Sequence, residues 1–597
     1  MLLENGGHLD INAYGSANRT IIKDKGTMSV LTNAKADATR IDNGGVMDVA
    51  GNATNTIING GTQNINNYGI ATGTNINSGT QNIKSGGKAD TTNISSGSRQ
   101  VVEKDGTATG SNISAGGSLI VYTGGIAHGV NQETGSALVA NTGAGTDIEG
   151  YNKLSHFTIT GGEANYVVLE NTGELTVVAK TSAKNTTIDT GGKLIVQKEA
   201  KTDSTRLNNG GVLEVQDGGE AKHVEQQSGG ALIASTTSGT LIEGTNSYGD
   251  AFYIRNSEAK NVVLENAGSL TVVTGSRAVD TIINANGKMD VYGKDVGTVL
   301  NSAGTQTIYA SATSDKANIK GGKQTVYGLA TEANIESGEQ IVDGGSTEKT
   351  HINGGTQTVQ NYGKAINTDI VSGLQQIMAN GTAEGSIING GSQVVNEGGL
   401  AENSVLNDGG TLDVREKGSA TGIQQSSQGA LVATTRATRV TGTRADGVAF
   451  SIEQGAANNI LLANGGVLTV ESDTSSDKTQ VNMGGREIVK TKATATGTTL
   501  TGGEQIVEGV ANETTINDGG IQTVSANGEA IKTKINEGGT LTVNDNGKAT
   551  DIVQNSGAAL QTSTANGIEI SGTHQYGTSP ISGNLATNML LENGGNL

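Results

Sequence analysis

The feature that most constrains this chain is a repeat of about 19 residues, written about thirty times. Aligned on a recurrent alanine, successive copies place Ala53, Ala71, Ala89, Ala108 and Ala127 at spacings of 18, 18, 19 and 19 residues. Each copy has two parts. The first reads Ala-x-x-Thr-x-Ile, as in Ala36/Thr39/Ile41, Ala71/Thr74/Ile76 and Ala183/Thr186/Ile188. The second reads Gly-x-(Gln, Leu or Met)-x-(Val or Ile), as in Gln81/Ile83, Gln375/Ile377, Met47/Val49 and Leu194/Val196. Asn-Gly-Gly, Ser-Gly-Gly or Asp-Gly-Gly lies between the parts.

Apolar residues two apart share one face of a strand. Gly-Gly and Asn-Gly supply the positive φ of a tight turn. The unit therefore reads as two short strands and two turns. It is too small to bury a core alone, but stacked copies bury a continuous one. Parallel crossovers are overwhelmingly right-handed. The expected fold is all-β: a right-handed, single-stranded parallel β-helix of about 19 residues per rung over residues 1–597. At a spacing of about 4.8 Å, some thirty rungs would form a rod on the order of 150 Å long.

Composition agrees with a narrow core. The chain has 597 residues, 91 of them glycine, with one proline, no cysteine, no tryptophan and three phenylalanines. Absence of cysteine excludes disulfides, thiolate metal sites and a catalytic thiol. Apolar runs reach four residues, as at Ala137–Ala140, far from the roughly 20 that span a bilayer. A net charge of −19 is a poor footprint for nucleic acid or anionic lipid. The start lacks the basic flank and apolar core of a signal peptide. Met1–Leu9 nearly duplicates Met589–Leu597, so the natural protein is expected to be longer at both ends.

The recurrent Gln shares a face with an inward Val or Ile. We read it as a stacked amide ladder between rungs; a ligand-binding row of amides is the other reading. Arg99-Gln100-Val101-Val102 carries one extra residue and reads as a bulge. Asp48, Glu214, Asp290 and Asp413 alternate with inward residues and should face outward.

A longer module interrupts the pattern near 136–169, 231–264, 430–462 and 559–591. All three phenylalanines, Phe157, Phe252 and Phe450, fall at one equivalent position; Ser579, beside Pro580, takes it in the fourth copy. Polar insertions precede them at Tyr151–Lys153, Asn246–Asp250, Arg444–Gly447 and His574–Gly577. These read as wider rungs plugged by one aromatic, with loops bulging outward, and the loops could form a periodic binding face.

No catalytic, cofactor or metal motif emerges. The six histidines, His8, His128, His156, His223, His351 and His574, are scattered, and none has metal-ligand spacing. Polysaccharide lyases and hydrolases use β-helices, but this surface shows neither irregular catalytic loops nor aromatic sugar platforms. The expectation is no enzyme, no cofactor and no metal; a carbohydrate-active enzyme or a passive glycosylated spacer is the alternative.

The unit Ala-x-x-Thr-x-Ile-Asn-x-Gly-Gly-x-Gln-x-Val resembles the passengers of self-associating autotransporter adhesins of Gram-negative bacteria. Gly410–Val414 and Ser426–Ile452 look most like the adhesin involved in diffuse adherence, with antigen 43 and the TibA adhesin as relatives. The resemblance implies a β-helical passenger at the bacterial cell surface or secreted, exported by a C-terminal β-barrel that is absent from this sequence and would be its sole link to the membrane. It further implies adhesion to a host cell-surface receptor, self-association between passengers on neighbouring cells, auto-aggregation and biofilm formation, and a role in virulence. It also implies O-heptosylation of Ser and Thr by a cytoplasmic heptosyltransferase, with Ser78, Ser85, Ser95, Ser96 and Ser114 as candidate acceptors.

Overall fold

A computed structural model describes residues 1–597 as strands, turns and bends, with no helix. The coils number about thirty, about 19 residues apart, and fall into two units, Met1–Val299 with Ala303–Gln306 and Leu300–Ser302 with Thr307–Leu597. Within each unit, successive copies lie on one another as parallel strands. In the first, Ala89, Ile94, Gln100 and Val102 pair with Ala108, Ile113, Leu119 and Val121. In the second, Ala365, Ile370, Gln375 and Ile377 pair with Ala383, Ile388, Gln393 and Val395. The inward columns are fully buried.

Many copies hold three short strands where the spacing predicts two, for example Lys88–Asp90, Asn93–Ile94 and Ser98–Val102, while others fuse the last two into one, as in Ile70–Thr72 and Asn75–Ile83. The Ala-x-x-Thr-x-Ile part bends because the second residue after alanine is left-handed. Arg19, Ala38, Asn55 and Thr91 take φ of 57°, 57°, 53° and 57° there. That conformation costs an L-residue about 1–2 kcal/mol. The ladder supports it: Arg19, Ala38, Asn55 and Thr91 each donate a backbone N–H to the next coil, on Asp37, Thr54, Thr72 and Thr109, at 2.8–3.0 Å. The Gly-Gly corner has a different cause. A Cβ on the second glycine would sit 2.6 Å from the Ile22 carbonyl at Gly45 and 2.4 Å from the Ile65 carbonyl at Gly87.

The buried amides form the ladder read from the sequence. Gln81 donates to Gln63 Oε1 at 2.9 Å and Thr74 Oγ1 at 3.1 Å. Its own Oε1 accepts from Thr92 at 3.1 Å and Gln100 at 2.7 Å. Both protons and both lone pairs are used, as burial requires. In the second unit Gln340, Gln357, Gln375 and Gln393 each donate to the preceding glutamine at 2.7–2.9 Å. Where the inward residue is Leu or Met, the corner threonine loses its acceptor, and Thr39, Thr186 and Thr205 bury hydroxyls without a partner.

The expected bulge at Arg99–Val102 is not there. Residues 98–102 pair in unbroken register with 79–83. Ser98 simply occupies the place of the second turn glycine, and its hydroxyl donates to the Ile76 carbonyl at 2.9 Å. Two acids also break the outward rule. Glu487 is buried in the Gln column, accepting from Ser476, Thr498 and Gln505 at 3.0, 2.8 and 2.8 Å. Asp295 is buried in the Ala column and accepts from Gln306 at 2.6 Å.

The two kinds of threonine should respond oppositely to loss of the hydroxyl. Thr92→Val removes a donor from Gln81 and should destabilise its rung by about 1 kcal/mol, whereas Thr186→Val removes an unpaired buried hydroxyl and should stabilise its rung by about 1 kcal/mol. Hydrogen exchange of the flanking strand amides measures both.

Candidate binding surface

Three of the long modules contain an antiparallel meander, not a widened parallel coil. Asp147–Tyr151, His156–Thr160 and Glu163–Asn165 form the first. Leu241–Thr245, Ala251–Arg255 and Glu258–Lys260 form the second. Arg439–Arg444, Ala449–Glu453 and Ala456–Asn458 form the third. A fourth, with shorter strands, follows Glu569–His574. On one side Ala127 pairs with Ile148 and Ala164 with Ala183, so the meander is spliced into the Ala column. On the other side Ala140 pairs directly with Leu175, skipping it.

Phe157, Phe252 and Phe450 are buried on the middle strands and face Gly150, Gly244 and Gly442. A Cβ on Gly442 would lie 2.5 Å from the Phe450 ring. Ser579 is buried at this place in the fourth copy, its N–H donating to the Gly572 carbonyl at 3.0 Å.

Splicing in the meander interrupts the ladder of the Ile column, and side chains bridge the gap. A glutamine replaces the inward isoleucine. Gln132, Gln226, Gln425 and Gln554 donate across the gap to the carbonyls of Val168, Val263, Leu461 and Leu590 at 3.0–3.1 Å. Beyond it, the Glu170, Glu265 and Glu592 carboxylates accept from the Gly135, Gly229 and Gly557 N–H groups. Asn171, Asn266 and Asn593 donate to the same glycines' carbonyls at 2.6–2.9 Å. The third module has Ala463 in the acid's place, leaving Asn464 on the Gln428 carbonyl at 3.4 Å. The signal was present in the sequence as Gln in an Ile column followed by Leu-Glu-Asn.

The polar insertions fold back over neighbouring coils. Lys153 lies 2.9 Å from Glu170 and 2.5 Å from Asp189. Burial pushes the Asp189 carboxyl up, but hydrogen bonds from Lys153 and Asn208 outweigh it and its pKa is lowered. Burial likewise pushes Lys153 down, and its two carboxylate partners turn the net shift upward. In the third module Arg444 holds Asp446 and the Asn459 carbonyl, and keeps the Asp446 carboxyl below the usual range. The exposed tips carry Tyr151, Leu154, Tyr248 and Tyr576.

The outward columns are also in register. Asn93, Asn112 and Asn131 each donate a side-chain amide to the preceding asparagine at 2.7–2.9 Å, starting from Asn75. Among the candidate acceptors, Ser78, Ser85 and Ser96 are exposed, while Ser95 and Ser114 are half-buried. Ser78, Ser95, Ser96 and Ser114 follow the inward isoleucines Ile76, Ile94 and Ile113 at one corner; Ser85 follows Ile83 at another. Five of the six histidines pair with acids, His8 with Asp10, His128 with Asp147, His156 with Glu149, His223 with Asp203 and His351 with Asp369, at 2.7–3.1 Å, while His574 lies 2.6 Å from the Asn588 carbonyl. His156, with the Gly129 N–H, holds the Glu149 carboxyl below its ordinary pKa.

Five stretches, 1–45, 149–211, 243–304, 441–503 and 505–558, match the family described as "AIDA: Adhesin of bacterial autotransporter system, probable stalk". Over these stretches, a little under half of its length, the chain carries AIDA-type autotransporter stalk domains. It is 99% identical over all 597 residues to "Probable autotransporter YpjA" of Escherichia coli (strain K12), and spans 39% of that relative. A solved structure of a TibC-catalysed, hyper-glycosylated TibA fragment is 28% identical, covering 53% of this chain and 98% of that one, with a TM-score of 0.30. Three of the stalk matches begin inside a meander, at 149, 243 and 441.

Two predictions concern these junctions of the stalk. Gln226→Leu leaves the Gly230 and Val263 carbonyls without their side-chain donor; at about 1–3 kcal/mol per orphaned buried group, the junction should lose at least about 2 kcal/mol, read as faster exchange of amides 226–232 and 263–268. The second prediction concerns pH. The lowered Asp189 contributes stability above its unfolded pKa of about 3.9, which is lost as pH falls through the folded value; the raised Lys153 contributes below about 10.4 and loses it at higher pH. Proteolytic cleavage within 152–155 should therefore rise below about pH 4, and Lys153→Met should make it high at every pH.

Proposed function

We propose that this stalk is the passenger region of a surface adhesin that works by many weak, repeated contacts. On this reading it mediates adherence to host cells, auto-aggregation and biofilm formation, and is O-heptosylated on Ser and Thr at outward corners such as those of Ser78, Ser85, Ser95, Ser96 and Ser114. The observation that carries the reading is the in-register outward amide column, Asn75 through Asn131 in the first unit and Asn517, Asn536 and Asn555 in the second. Identical polar groups repeated at strand spacing suit a second array of the same kind. Avidity from linked weak contacts can exceed single-site affinity by about 10²–10⁴. The autotransporter stalk matches support a cell-surface or secreted place and a role other than catalysis.

The family description favours a second reading, a passive stalk that holds other segments away from the cell. One experiment separates the two. The full-length protein is displayed on bacteria, beside a version in which residues 1–597 are replaced by an unrelated solenoid of equal length. Adhesion and settling lost on replacement support the adhesin; both retained support the spacer. Because two copies of a −19 chain repel, self-association should strengthen as salt shortens the Debye length from about 30 Å at 0.01 M to about 8 Å at 0.15 M. Intact mass with and without a co-expressed heptosyltransferase tests the modification.

A further inference from the structure

We propose that a recess in the second unit, formed where two successive coils cut one corner short, is a binding site for a neutral carbohydrate.

The recess follows from register. Val326, Val342, Val359 and Ile377 stack on one another, as do Ala330, Thr347, Ala365 and Ala383. Between these fixed points the chain spends three residues in the first coil, four in the second and five in the third and fourth. The coil below, from Ile308 to Ser314, also spends five. Two short corners are thus framed by longer ones, leaving a notch of about 10 Å at two strand spacings. Its floor is Gly328, Gly344 and Gly345, which carry no side chains.

Aromatic rings line it. Tyr309 and Tyr327 stack with centroids 6.2 Å apart and planes at 27°. The next coil continues the column with Asp343, not a third ring, so the stack ends at the notch, and Tyr327 is 43% exposed. Above, Tyr362 stands 80% exposed at a left-handed tip, φ 67°, where the following coil has Asn380 at φ 63°. The left-handed tip, uncommon for a bulky residue, holds the ring out into solvent above the notch. Between the rings, Asp343 accepts from Gln360 at 3.3 Å and Asn361 at 3.2 Å, which fixes a planar polar group at the rim.

This chemistry selects the ligand. The negative face of an aromatic ring attracts polarised C–H groups, which a pyranose presents on one face. Fixed carboxylate and amide groups meet its hydroxyls, as convergent polar groups do in small-molecule sites. The ionisable groups of these corners are Asp343, the tyrosines and Lys364; Lys364 is held by Glu384 at 3.2 Å, so no unpaired cation is left there to neutralise an acidic sugar.

The first unit supplies an internal control. The corner between Val49 and Ala53 is also short and lies below Tyr68, 75% exposed, but it carries Ala50 and Gly51 in place of the stacked tyrosines and the carboxylate. The test uses the whole chain and its tyrosine fluorescence, which no tryptophan obscures. Cellohexaose, maltohexaose, chitohexaose and mannohexaose are titrated in turn. At least one should bind saturably, with affinity reduced at least about tenfold by Tyr327→Ala and by Tyr362→Ala, retained by Tyr362→Phe, and unchanged by Tyr68→Ala. All three positions are exposed, and far-UV circular dichroism verifies the fold of each variant. Failure of every oligosaccharide to bind, or binding that Tyr327→Ala and Tyr362→Ala leave intact, overturns the proposal.

Discussion

Everything in each unit depends on a hydrogen-bond ladder, the parallel pairing of one coil's backbone with the next. The inward columns exist because that pairing puts equivalent residues over one another. The amide ladder follows, since Gln81 can satisfy itself only if Gln63 and Gln100 lie directly before and after it. So do the outward asparagine column and the left-handed corners, whose strain is tolerated because each corner N–H has a carbonyl waiting one coil along. A narrow core of Ala, Val, Ile, Leu and Gln then suffices without tryptophan or cysteine, because cohesion is spread over hundreds of backbone bonds and no large apolar centre is required.

The same ladder explains why a meander needs so many dedicated side chains. Parallel stacking gives every backbone group a partner without help from side chains. An antiparallel insert on one side removes those partners on another, and buried orphans are costly. Gln226, Glu265 and Asn266 replace the missing backbone groups in the second module. Where one is lost, as at Ala463, another polar contact is added nearby: Arg444 reaches Asp446, the Asn459 carbonyl and Gln480.

The sequence made legible whatever repeats in kind. Val, Ile and Gln two apart declared the strands, Gly-Gly declared the turns, and the substitution of Leu or Met for Gln declared an inward amide. Features written in variable residues stayed hidden. The left-handed corner holds Arg19, Ala38, Asn55 or Thr91, types with no common propensity, so the third strand was missed. Arg99–Val102 looked like a bulge with one extra residue, because Ser98 stands where a glycine would and hides the register. Nothing in the residue type of Glu487 or Asp295 marks it as inward, and only the columns they occupy reveal them as buried. Parallel and antiparallel inserts share one alternation, so the direction of Phe157, Phe252 and Phe450 could not be read. The candidate serines were legible as a surface class, but the sequence did not separate the exposed Ser78, Ser85 and Ser96 from the half-buried Ser95 and Ser114.

The way the meanders are spliced has an evolutionary corollary. Ala127 and Ala164 occupy the same column, as do Ala221 and Ala259, and Ala420 and Ala457. Recombination between the codons of such a pair would delete or duplicate one whole meander and rejoin the solenoid in phase. Chains of this type can therefore change length by integral modules without unfolding, whereas a shift of a few residues would dephase every column downstream. Natural variants should differ by counts of modules, like beads added to or taken from a string.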